Sequence, residues 1–259
     1  MGKIQSLLVA LVVILSFHST SVLAYKHPGN LKIAIDTTYP PMEFETADGK
    51  AQGFDVDVAR ELAKRLGTNA EFIVMGWDGI LAGLQSGRYD VIISSMNITN
   101  DRKKQVNFVE YVKMGQVFVA RKNSAPIKSE NDLVGKVVAV QADTTSFEAV
   151  DNLKKKGIAI KDIKAFKGAT DTFSALKAFQ ADVVVVDEPV GYYYVAKDPK
   201  SFAVTGVALN PEPVGVAIRK KDQQLKSAIE IALKSMQKDG SFDKISRNWF
   251  NTKLGQKFK

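Results

Sequence analysis

The stretch that decides the fold runs from Leu31-Lys-Ile-Ala-Ile35 to Asp90-Val-Ile-Ile-Ser94. These two runs and a third at 71–75 are short and apolar, which is typical of strands. The two segments between them place apolar side chains at helical spacing, and each has an aspartate, Asp55 or Asp78, where a helix cap is expected. This βαβαβ order predicts an α/β fold with a mainly parallel sheet.

A second unit of the same order follows the turn-rich segment Asn123-Ser-Ala-Pro126. Two such units predict two lobes, each a mixed, mainly parallel sheet flanked by helices. The predicted elements of the second unit are strands at 137–140, 160–166 and 183–186, a helix opening at Thr144, and a helix capped by Thr170 or Asp171 that carries Phe173, Leu176 and Phe179.

The C-terminal segment adds a predicted strand, Val214–Arg219, and amphipathic helices at 223–236 and 242–250. A separate domain of that size would be marginally stable, so the segment is predicted to complete the first lobe. Two strands, near Gln116–Ala120 and Val204–Leu209, then cross between the lobes as a hinge. The predicted division is a signal peptide at 1–24, lobe 1 at 31–116 plus 212–259, and lobe 2 at 117–211.

The N-terminus has the three-part pattern of a secretory signal peptide: Lys3, an apolar run from Leu7 to Leu15, and small residues before Ala24. A membrane span needs about 20 apolar residues, so this run is too short for an anchor. We therefore expect cleavage after Ala24 and release of a free protein into a periplasmic space. The chain has no cysteine, which excludes a disulfide framework and a lipid-modified cysteine at the cleavage site.

Composition excludes several classes of function. The net charge is +8, and loss of Lys3 with the signal peptide leaves +7, but Lys and Arg are spread along the chain, so no nucleic-acid partner is expected. His27 is the one histidine after residue 24, in an N-terminus predicted to be mobile, so no metal site is expected. No catalytic triad or glycine-rich phosphate loop is recognisable, and no cofactor is expected.

A polar segment, Ser94-Ser-Met-Asn-Ile-Thr-Asn-Asp-Arg102, follows the third predicted strand. Its small polar side chains leave backbone N–H groups approachable at the carboxyl end of a strand, where ligands of open α/β sheets bind. Arg102 offers a rigid fork suited to a carboxylate, such as that of a free amino acid. The alternative is a surface arginine at the start of a basic helix.

Asp187 follows four valines at the mouth of a buried strand in the second unit. It is predicted either to contact a ligand there or to cap the helix that starts near Pro189, and the two roles are compatible. The other candidate donors to an anion are Ser95 and Asn97 on the polar segment and Thr144 and Thr145 at a helix start, where plain N-capping is the alternative for one threonine.

Seven short motifs share their order and spacing with a known family. They are Tyr39-Pro-Pro-Met-Glu-Phe44, Gly53-Phe-Asp-Val-Asp57, Trp77-Asp-Gly79, Ile98-Thr-Asn-Asp-Arg-Lys103, Lys136-Val-Val-Ala-Val140, Val186-Asp187, and Lys238-Asp-Gly-Ser with Trp249-Phe250. In these motifs the chain resembles the amino-acid-binding members of the bacterial extracellular solute-binding proteins that serve ABC importers. The resemblance implies a two-lobed periplasmic-binding-protein fold of type II with a two-strand hinge. It also implies a monomer that closes on a free L-amino acid and delivers it to a membrane permease.

The resemblance implies roles for individual residues. Arg102 is expected to bind the α-carboxylate and Asp187 the α-ammonium, with Tyr39 and Trp77 against the ligand's side chain. Ordinary packing is the alternative for the two aromatic residues. This chain departs from many relatives in having Asp143 where they have glycine. The predicted ligand-binding residues are Asp36, Tyr39, Trp77, Ser94, Ser95, Asn97, Arg102, Gln141, Thr144, Thr145 and Asp187.

Selectivity is assigned to Asp36 and Gln141, at the ends of two strands. An apolar ligand would leave Asp36 buried without a partner, so arginine, lysine, histidine and glutamine are expected ahead of acidic or aliphatic amino acids. The alternative function is a cyclohexadienyl or arogenate dehydratase-like enzyme on the same fold, with Glu188 as general acid. A sensory ligand-binding module is a third possibility.

Overall fold

The computed structural model describes Tyr25 and residues 27–251, except the side chains of residues 207–210. The predicted signal peptide lies outside these residues, so it and its cleavage after Ala24 stay predictions. The strands are β1 (Leu31–Ile35), β2 (Thr38–Tyr39), β3 (Glu43–Glu45), β4 (Ala51–Gln52), β5 (Ala70–Val74), β6 (Val91–Ile92), β7 (Val106–Arg121), β8 (Val137–Gln141), β9 (Asp162–Phe166), β10 (Val183–Asp187) and β11 (Phe202–Arg219). The α-helices are α1 (Phe54–Arg65), α2 (Ile80–Ser86), α3 (Asn100–Gln105), α4 (Thr145–Lys155), α5 (Ala169–Lys177), α6 (Glu188–Lys197), α7 (Gln223–Lys238) and α8 (Ser241–Phe250). None of the described helices is long and apolar enough to span a bilayer.

Eight strands form one mixed sheet in the order β5-β1-β6-β11-β7-β10-β8-β9. Within it, β1 pairs in parallel with β5 and β6, and β8 pairs in parallel with β9 and β10. The long strands β7 and β11 pair antiparallel with each other and join these two parallel halves. They contain both predicted crossing strands, which confirms the two-strand connection. The proposed lobe boundaries at 116/117 and 211/212 fall inside β7 and β11 and stay predictions.

Helices pack on both halves of the sheet, and one apolar core, which also includes Phe173 of α5 and Val184 of β10, spans the two halves. In the first half, Leu62 of α1 and Ile229 of α7 are fully buried in one core with Ile33 of β1. In the second half, Val150 of α4 packs in a separate core with Val138 of β8. These side chains lie at the spacings that predicted the elements, so the same periodicity that forms each helix or strand also covers its sheet.

The predicted helix caps are wrong at the starts of three helices. Asp55 lies inside the first turn of α1, where its fully buried carboxylate accepts hydrogen bonds from Ser95 and Tyr111 instead of capping the helix. Asp78 belongs to a 3₁₀ turn before α2 and makes no cap. Neither Thr170 nor Asp171 caps α5. The residues at these N-cap positions are Gly53, Gly79 and Gly168.

Gly53 is required where α1 begins. Its φ of +141° is accessible to glycine and strained for other residues, and a Cβ there would lie 2.1 Å from the carbonyl oxygen of Met42. The close approach lets α1 start directly after β3 and β4, which explains why a glycine replaces the expected capping side chain. A capping carboxylate is therefore free to serve another purpose, as Asp55 does.

Phe179 and His27 also differ from the prediction. Phe179 follows α5 with φ of +60° and is 77% exposed, so it lies outside the core, with the Arg121 guanidinium 4.6 Å from its ring centroid. His27 is buried rather than mobile, because its backbone N–H donates to Leu66 at the end of α1 and its ring lies 3.6 Å from an oxygen of Asp90.

Candidate functional site

The parallel strands of the two halves run toward each other, and their carboxyl ends face a shared cavity. On one side β1 and β6 lead into Asp36 and Ser94, and on the other β8 and β10 end at Gln141 and Asp187. Ligands of open α/β sheets bind at such strand ends. The cavity is lined by Asp36, Tyr39, Glu43, Trp77, Ser94, Ser95, Asn97, Gln141, Thr144, Thr145, Ser146 and Asp187.

Side-chain hydrogen bonds cross the cavity, so this is a closed form of the protein. Gln141 Nε2 donates to Asp36 Oδ2 at 2.7 Å, and Tyr39 Oη donates to Asp187 Oδ2 at 2.8 Å. Burial raises the pKa of Asp36, although the hydrogen bond from Gln141 opposes that change. Loss of hydration and the neighbouring Asp187 raise the pKa of Tyr39 well above its usual value, so its hydroxyl remains a donor.

A second set of cross-cavity bonds converges on backbone groups of the second half. The carbonyl oxygen of Asp143 accepts both Trp77 Nε1 at 2.9 Å and Arg102 Nη2 at 3.1 Å. Asp143 has φ of +58°, in the left-handed region that glycine adopts most readily, so the departure from glycine noted in the sequence falls at a strained position. Thr38 Oγ1 accepts the N–H of Ala169 at 3.1 Å and so supplies the missing cap of α5.

Arg102 is 7% exposed, and the alternative of a surface arginine is therefore wrong. Thr99 caps α3 and holds the backbone N–H of Arg102, which turns the guanidinium inward. Nη1 donates to the carbonyl oxygen of Asn97 at 3.0 Å, and the guanidinium carbon lies 5.3 Å from the ring centroid of Trp77. Burial lowers the pKa of Arg102, and nearby acidic residues oppose that change. Arg102 does not line the closed cavity itself but contacts Asn97 and Trp77, which do.

Asp187 is 3% exposed and occupies the N-cap position of α6, but its side chain makes no capping bond. Oδ2 accepts from Tyr39, while Oδ1 is buried and has no hydrogen-bond partner. Burial raises the pKa of Asp187 to about 7, although the hydrogen bond from Tyr39 and the positive charge of Arg102 oppose this. A buried carboxylate oxygen without a donor is costly, so a ligand donor entering here would satisfy it.

The polar segment supplies three lining residues whose side-chain donors are engaged within the protein. Ser94 Oγ donates to Glu43 Oε1 at 2.8 Å, and both the N–H and the hydroxyl of Ser95 donate to Asp55. Asn97 Nδ2 donates to Glu212 at 3.1 Å. Ser95 adopts φ of +47°, and the two hydrogen bonds that it donates to Asp55 hold it there. In this closed form these hydroxyls shape the cavity wall rather than point donors into it.

The two threonines divide the roles that the sequence left open. Thr144 is the N-cap of α4: its Oγ1 accepts the N–H of Phe147 at 3.2 Å and donates to the carbonyl oxygen of Gln141 at 2.7 Å. The prediction that one of the pair would be a plain N-cap is thus confirmed. Thr145 is buried, and its Oγ1 accepts Gln116 Nε2 at 2.9 Å, which leaves its hydroxyl hydrogen available to a ligand.

Glu43 and Ser146 line the cavity but were not among the predicted site residues. Glu43 and Glu45 lie on the same short strand, and Glu45 is exposed. The residue type therefore did not indicate that Glu43 would be buried. Ser146 is 5% exposed one residue inside the helix that Thr144 caps. A signal was present in both cases, because each adjoins a motif already assigned to the site.

Chemically, the site presents opposite charges on its two sides. Arg102 contributes a buried cation from the first half and Asp187 a buried carboxyl group from the second. Glu188, the general acid of the enzyme alternative, is absent from the lining of this cavity as the structure describes it. Within the described residues no group of His, Cys, Asp and Glu is placed to hold a metal ion. A buried cation and a buried carboxyl group on opposite sides of one cavity suit binding of a small zwitterion.

Residues 31–252 match the sequence model of the bacterial extracellular solute-binding proteins, family 3. The chain belongs to this family. It is 35% identical to the L-cystine-binding protein TcyJ of Escherichia coli strain K12, over 96% of this chain and 94% of that protein. It is 30% identical to the histidine-binding periplasmic protein of the same strain, over 95% and 97% of the two chains.

Among solved structures, an ancestral arginine-binding protein bound to arginine is similar, with a TM-score of 0.82 and 40% sequence identity over 86% of this chain and 99% of that chain. The predicted two-lobed fold is confirmed by this likeness together with the mixed sheet and its two long connecting strands. The named relatives are binding proteins, which confirms the prediction that the chain is not an enzyme. Their names also agree on the ligand class, amino acids.

Proposed function

We propose that this chain binds a free polar or cationic L-amino acid in the cavity between its lobes and delivers it to an ABC transporter permease. The observation that carries the proposal is Asp187 Oδ1, a buried carboxylate oxygen without a partner at the carboxyl end of β10. An α-ammonium group would supply the missing donor and the missing positive charge together.

The α-carboxylate would lie on the opposite side, near Arg102. Its guanidinium has five N–H donors, and the bonds to Asn97 and Asp143 use two of them. The hydroxyl hydrogen of Thr145 and the N-terminus of α4 face the same cavity and favour an anion. Arg102 reaches the cavity wall through its contacts with Asn97 and Trp77. A ligand carboxylate that binds Arg102 would therefore replace one of the backbone carbonyl groups to which its guanidinium now donates.

The ligand's side chain would extend toward Asp36 and Gln141. These two residues bond to each other across the cavity, and each therefore has a polar partner in the absence of ligand. An apolar side chain that separated them would break this bond and leave Asp36 Oδ2 without a donor, whereas an amide, guanidinium or ammonium would replace the lost bond. This favours arginine, lysine, histidine or glutamine over leucine or valine.

Delivery follows from lobe closure about β7 and β11. Binding groups lie on both halves, so a ligand that contacts Arg102 and Asp187 together favours the closed form over an open one. The closed form is then the state that a permease would recognise. We further propose that the chain acts as a monomer in the periplasm after cleavage behind Ala24, with lobe 1 formed by 31–116 plus 212–259 and lobe 2 by 117–211.

A thermal-shift screen of the twenty L-amino acids tests this function. Ligands that bind the folded state raise the melting temperature in proportion to the logarithm of their concentration over Kd. Stabilisation by arginine, lysine, histidine or glutamine is expected, and stabilisation by leucine or glutamate alone would contradict the proposed selectivity. In a parallel assay, prephenate and arogenate should be left unchanged, since turnover of either would replace the binding role with the dehydratase role.

A further inference from the structure

Glu43 is a carboxyl group at the cavity wall with an unfilled bonding capacity. It lies on β3, is 1% exposed and lines the cavity together with Asp36. Ser94 joins the two: its hydroxyl donates to Glu43 Oε1 at 2.8 Å and accepts the N–H of Asp36 at 2.9 Å. Glu43 Oε2 is buried and receives no donor. The proposed amino-acid site therefore contains a second carboxyl group besides Asp36 at the same end.

Asp55, beneath Glu43, determines which carboxyl group holds a proton. Asp55 accepts the hydroxyl of Tyr111 at 2.8 Å, the N–H of Ser95 at 2.6 Å and the hydroxyl of Ser95 at 2.9 Å, so its anion is well satisfied. Burial, and the neighbouring charge of Asp55, raise the pKa of Glu43 well above its ordinary value. Glu43 is therefore the member of this acidic pair that binds a proton more readily.

The surroundings of this acidic pair contain no compensating cation. The titratable groups that face Glu43 are Asp55 of α1, Asp36 after β1, Tyr39 of β2 and Tyr111 of β7. Within the described residues, the three carboxyl groups take their hydrogen bonds from hydroxyl, amide and backbone N–H groups, and none of them pairs with Lys or Arg. Acceptors outnumber positive charges here, as a receptor for a cation requires.

We propose that Glu43 is a specificity-determining residue that, with Asp36, receives the cationic side chain of the bound amino acid. The inference rests on the proposed function and narrows it from polar amino acids to those whose side chain ends in a guanidinium or ammonium group. When such a cation enters, the Glu43 carboxyl O–H bond breaks, its proton goes to solvent, and the carboxylate formed pairs with the ligand cation. A neutral side chain leaves Glu43 protonated, so arginine should release one more proton than a ligand whose side chain is neutral.

L-Arginine and L-citrulline make the matched pair of probes. They share the α-amino acid group and the chain length, and they differ in that arginine ends in a cationic guanidinium and citrulline in a neutral urea group. Any titration of Asp187 affects both ligands equally, because both place the same ammonium group there. The ratio of their affinities therefore reports the acidic end alone. Calorimetric titration in two buffers of different ionisation enthalpy also counts the protons released.

The wild-type chain is expected to bind arginine about 30-fold or more tighter than citrulline, the difference that a charge-assisted buried contact supplies. Glu43→Gln should reduce this ratio by about tenfold or more, lower the number of protons released by arginine to the number released by citrulline, and leave the citrulline affinity within about threefold. Glu45→Gln, which removes an exposed carboxylate from the same strand, is the control and should leave the ratio unchanged.

An unchanged ratio in Glu43→Gln would overturn the inference. Binding of citrulline or glutamine without arginine would also overturn it and leave the proposed function standing, whereas failure of every amino acid to bind would overturn both. A measurement on the wild-type chain does not depend on folding of the variant: the arginine-to-citrulline ratio should rise from pH 5 to pH 8, because Glu43 must give up its proton only for arginine. A ratio constant with pH would contradict the proposal.

Discussion

Arg102 and Asp187 are two buried charged residues on opposite sides of one cavity, and the protein treats them differently. Arg102 is 7% exposed, and its guanidinium already donates to the carbonyl oxygens of Asn97 and Asp143. Asp187 is 3% exposed and has one oxygen bonded to Tyr39 and one without a partner. Without ligand the guanidinium already has two acceptors, while one oxygen of the carboxylate has no donor.

The difference separates two energetic roles. A ligand carboxylate at Arg102 exchanges one set of hydrogen bonds for another, so its gain comes from replacing neutral acceptors with a charged one. A ligand ammonium at Asp187 donates to the oxygen that has no partner. It also ionises a carboxyl group that burial keeps partly protonated near neutral pH. Arg102 is thus a preorganised anchor, and Asp187 is the residue whose state the ligand changes.

The largest effect is expected when the guanidinium of Arg102 is removed. Arg102→Ala should lower amino-acid affinity by about 100-fold or more, because the ligand carboxylate would be buried without a charged partner. The unliganded chain should still unfold cooperatively. Calorimetric titration and thermal unfolding measure both effects.

Lys103→Ala is the matched control for the anchor, since it removes one positive charge from the next, exposed position on α3. It should leave the affinity unchanged. Tight binding retained by Arg102→Ala would mean that the carboxylate is held elsewhere.

Asp187→Asn tests the charge of the carboxylate on the opposite side of the cavity. It should lower affinity by about 30-fold, because an amide oxygen still accepts from the ammonium but supplies no charge. The pH dependence should change as well. In the wild-type chain, affinity for glutamine should fall by about tenfold for each pH unit below about 7, as the carboxylate gains a proton. The variant should have a flat profile, and an identical slope in both proteins would contradict the role assigned to Asp187.

The same residue predicts a change in stability without ligand. Its pKa of about 7 lies above the value of about 3.9 for an exposed aspartate, so the folded chain holds a proton between these pH values that the unfolded chain releases. The contribution of Asp187 to the free energy of unfolding therefore falls as pH rises from 4 to above 7. Unliganded Asp187→Asn should melt above the wild-type chain at pH 8, and the gap should narrow at pH 5.

Tyr39→Phe tests how Asp187 is held. The change deletes the hydroxyl that donates to Asp187 Oδ2 at 2.8 Å and leaves the ring in place. Because that bond lowers the pKa of Asp187, its loss should move the midpoint of the pH profile upward and reduce affinity at pH 7 by about fivefold. Calorimetry across pH 5 to 9 measures both quantities. A midpoint that moves downward would contradict the direction.

The smallest effect is expected at Trp77, beside Arg102. Trp77→Phe keeps an aromatic ring beside Arg102 but removes the Nε1 donor to the Asp143 carbonyl oxygen, which Arg102 also holds. One neutral hydrogen bond across the cleft is lost, so affinity should fall by about threefold. A loss as large as that of Arg102→Ala would mean that Trp77, rather than Arg102, is the anchor.

Sequence patterns predicted the fold well because the signal is repeated along the chain. The apolar run at 31–35 and the valines at 183–186 fall on β1 and β10, and the crossing strands fall on β7 and β11. Helix starts were predicted less well. At Gly53 the constraint is the carbonyl oxygen of Met42, a contact between segments whose approach no local pattern reveals.

The site was also predicted in part from the sequence. Eleven residues were predicted, and ten of them line the cavity, because strand ends and helix starts converge in this fold. Glu43 was missed although it lies inside the Tyr39–Phe44 motif, because its burial and its bond to Ser94, 51 positions along the chain, are tertiary contacts. The use of Ser95 by Asp55 was missed for the same reason: residue types indicate which side chains can donate, and only tertiary structure decides to whom.

The most direct measurement compares three forms of whichever amino acid stabilises the chain most: the free acid, its carboxamide and its Nα-acetyl derivative. The carboxamide removes the charge that Arg102 would hold, and acetylation removes the charge that Asp187 would hold. We predict that the free amino acid binds and that each blocked form loses about 100-fold or more in affinity. Binding of either blocked form as tightly as the free amino acid would contradict a site divided between these two residues.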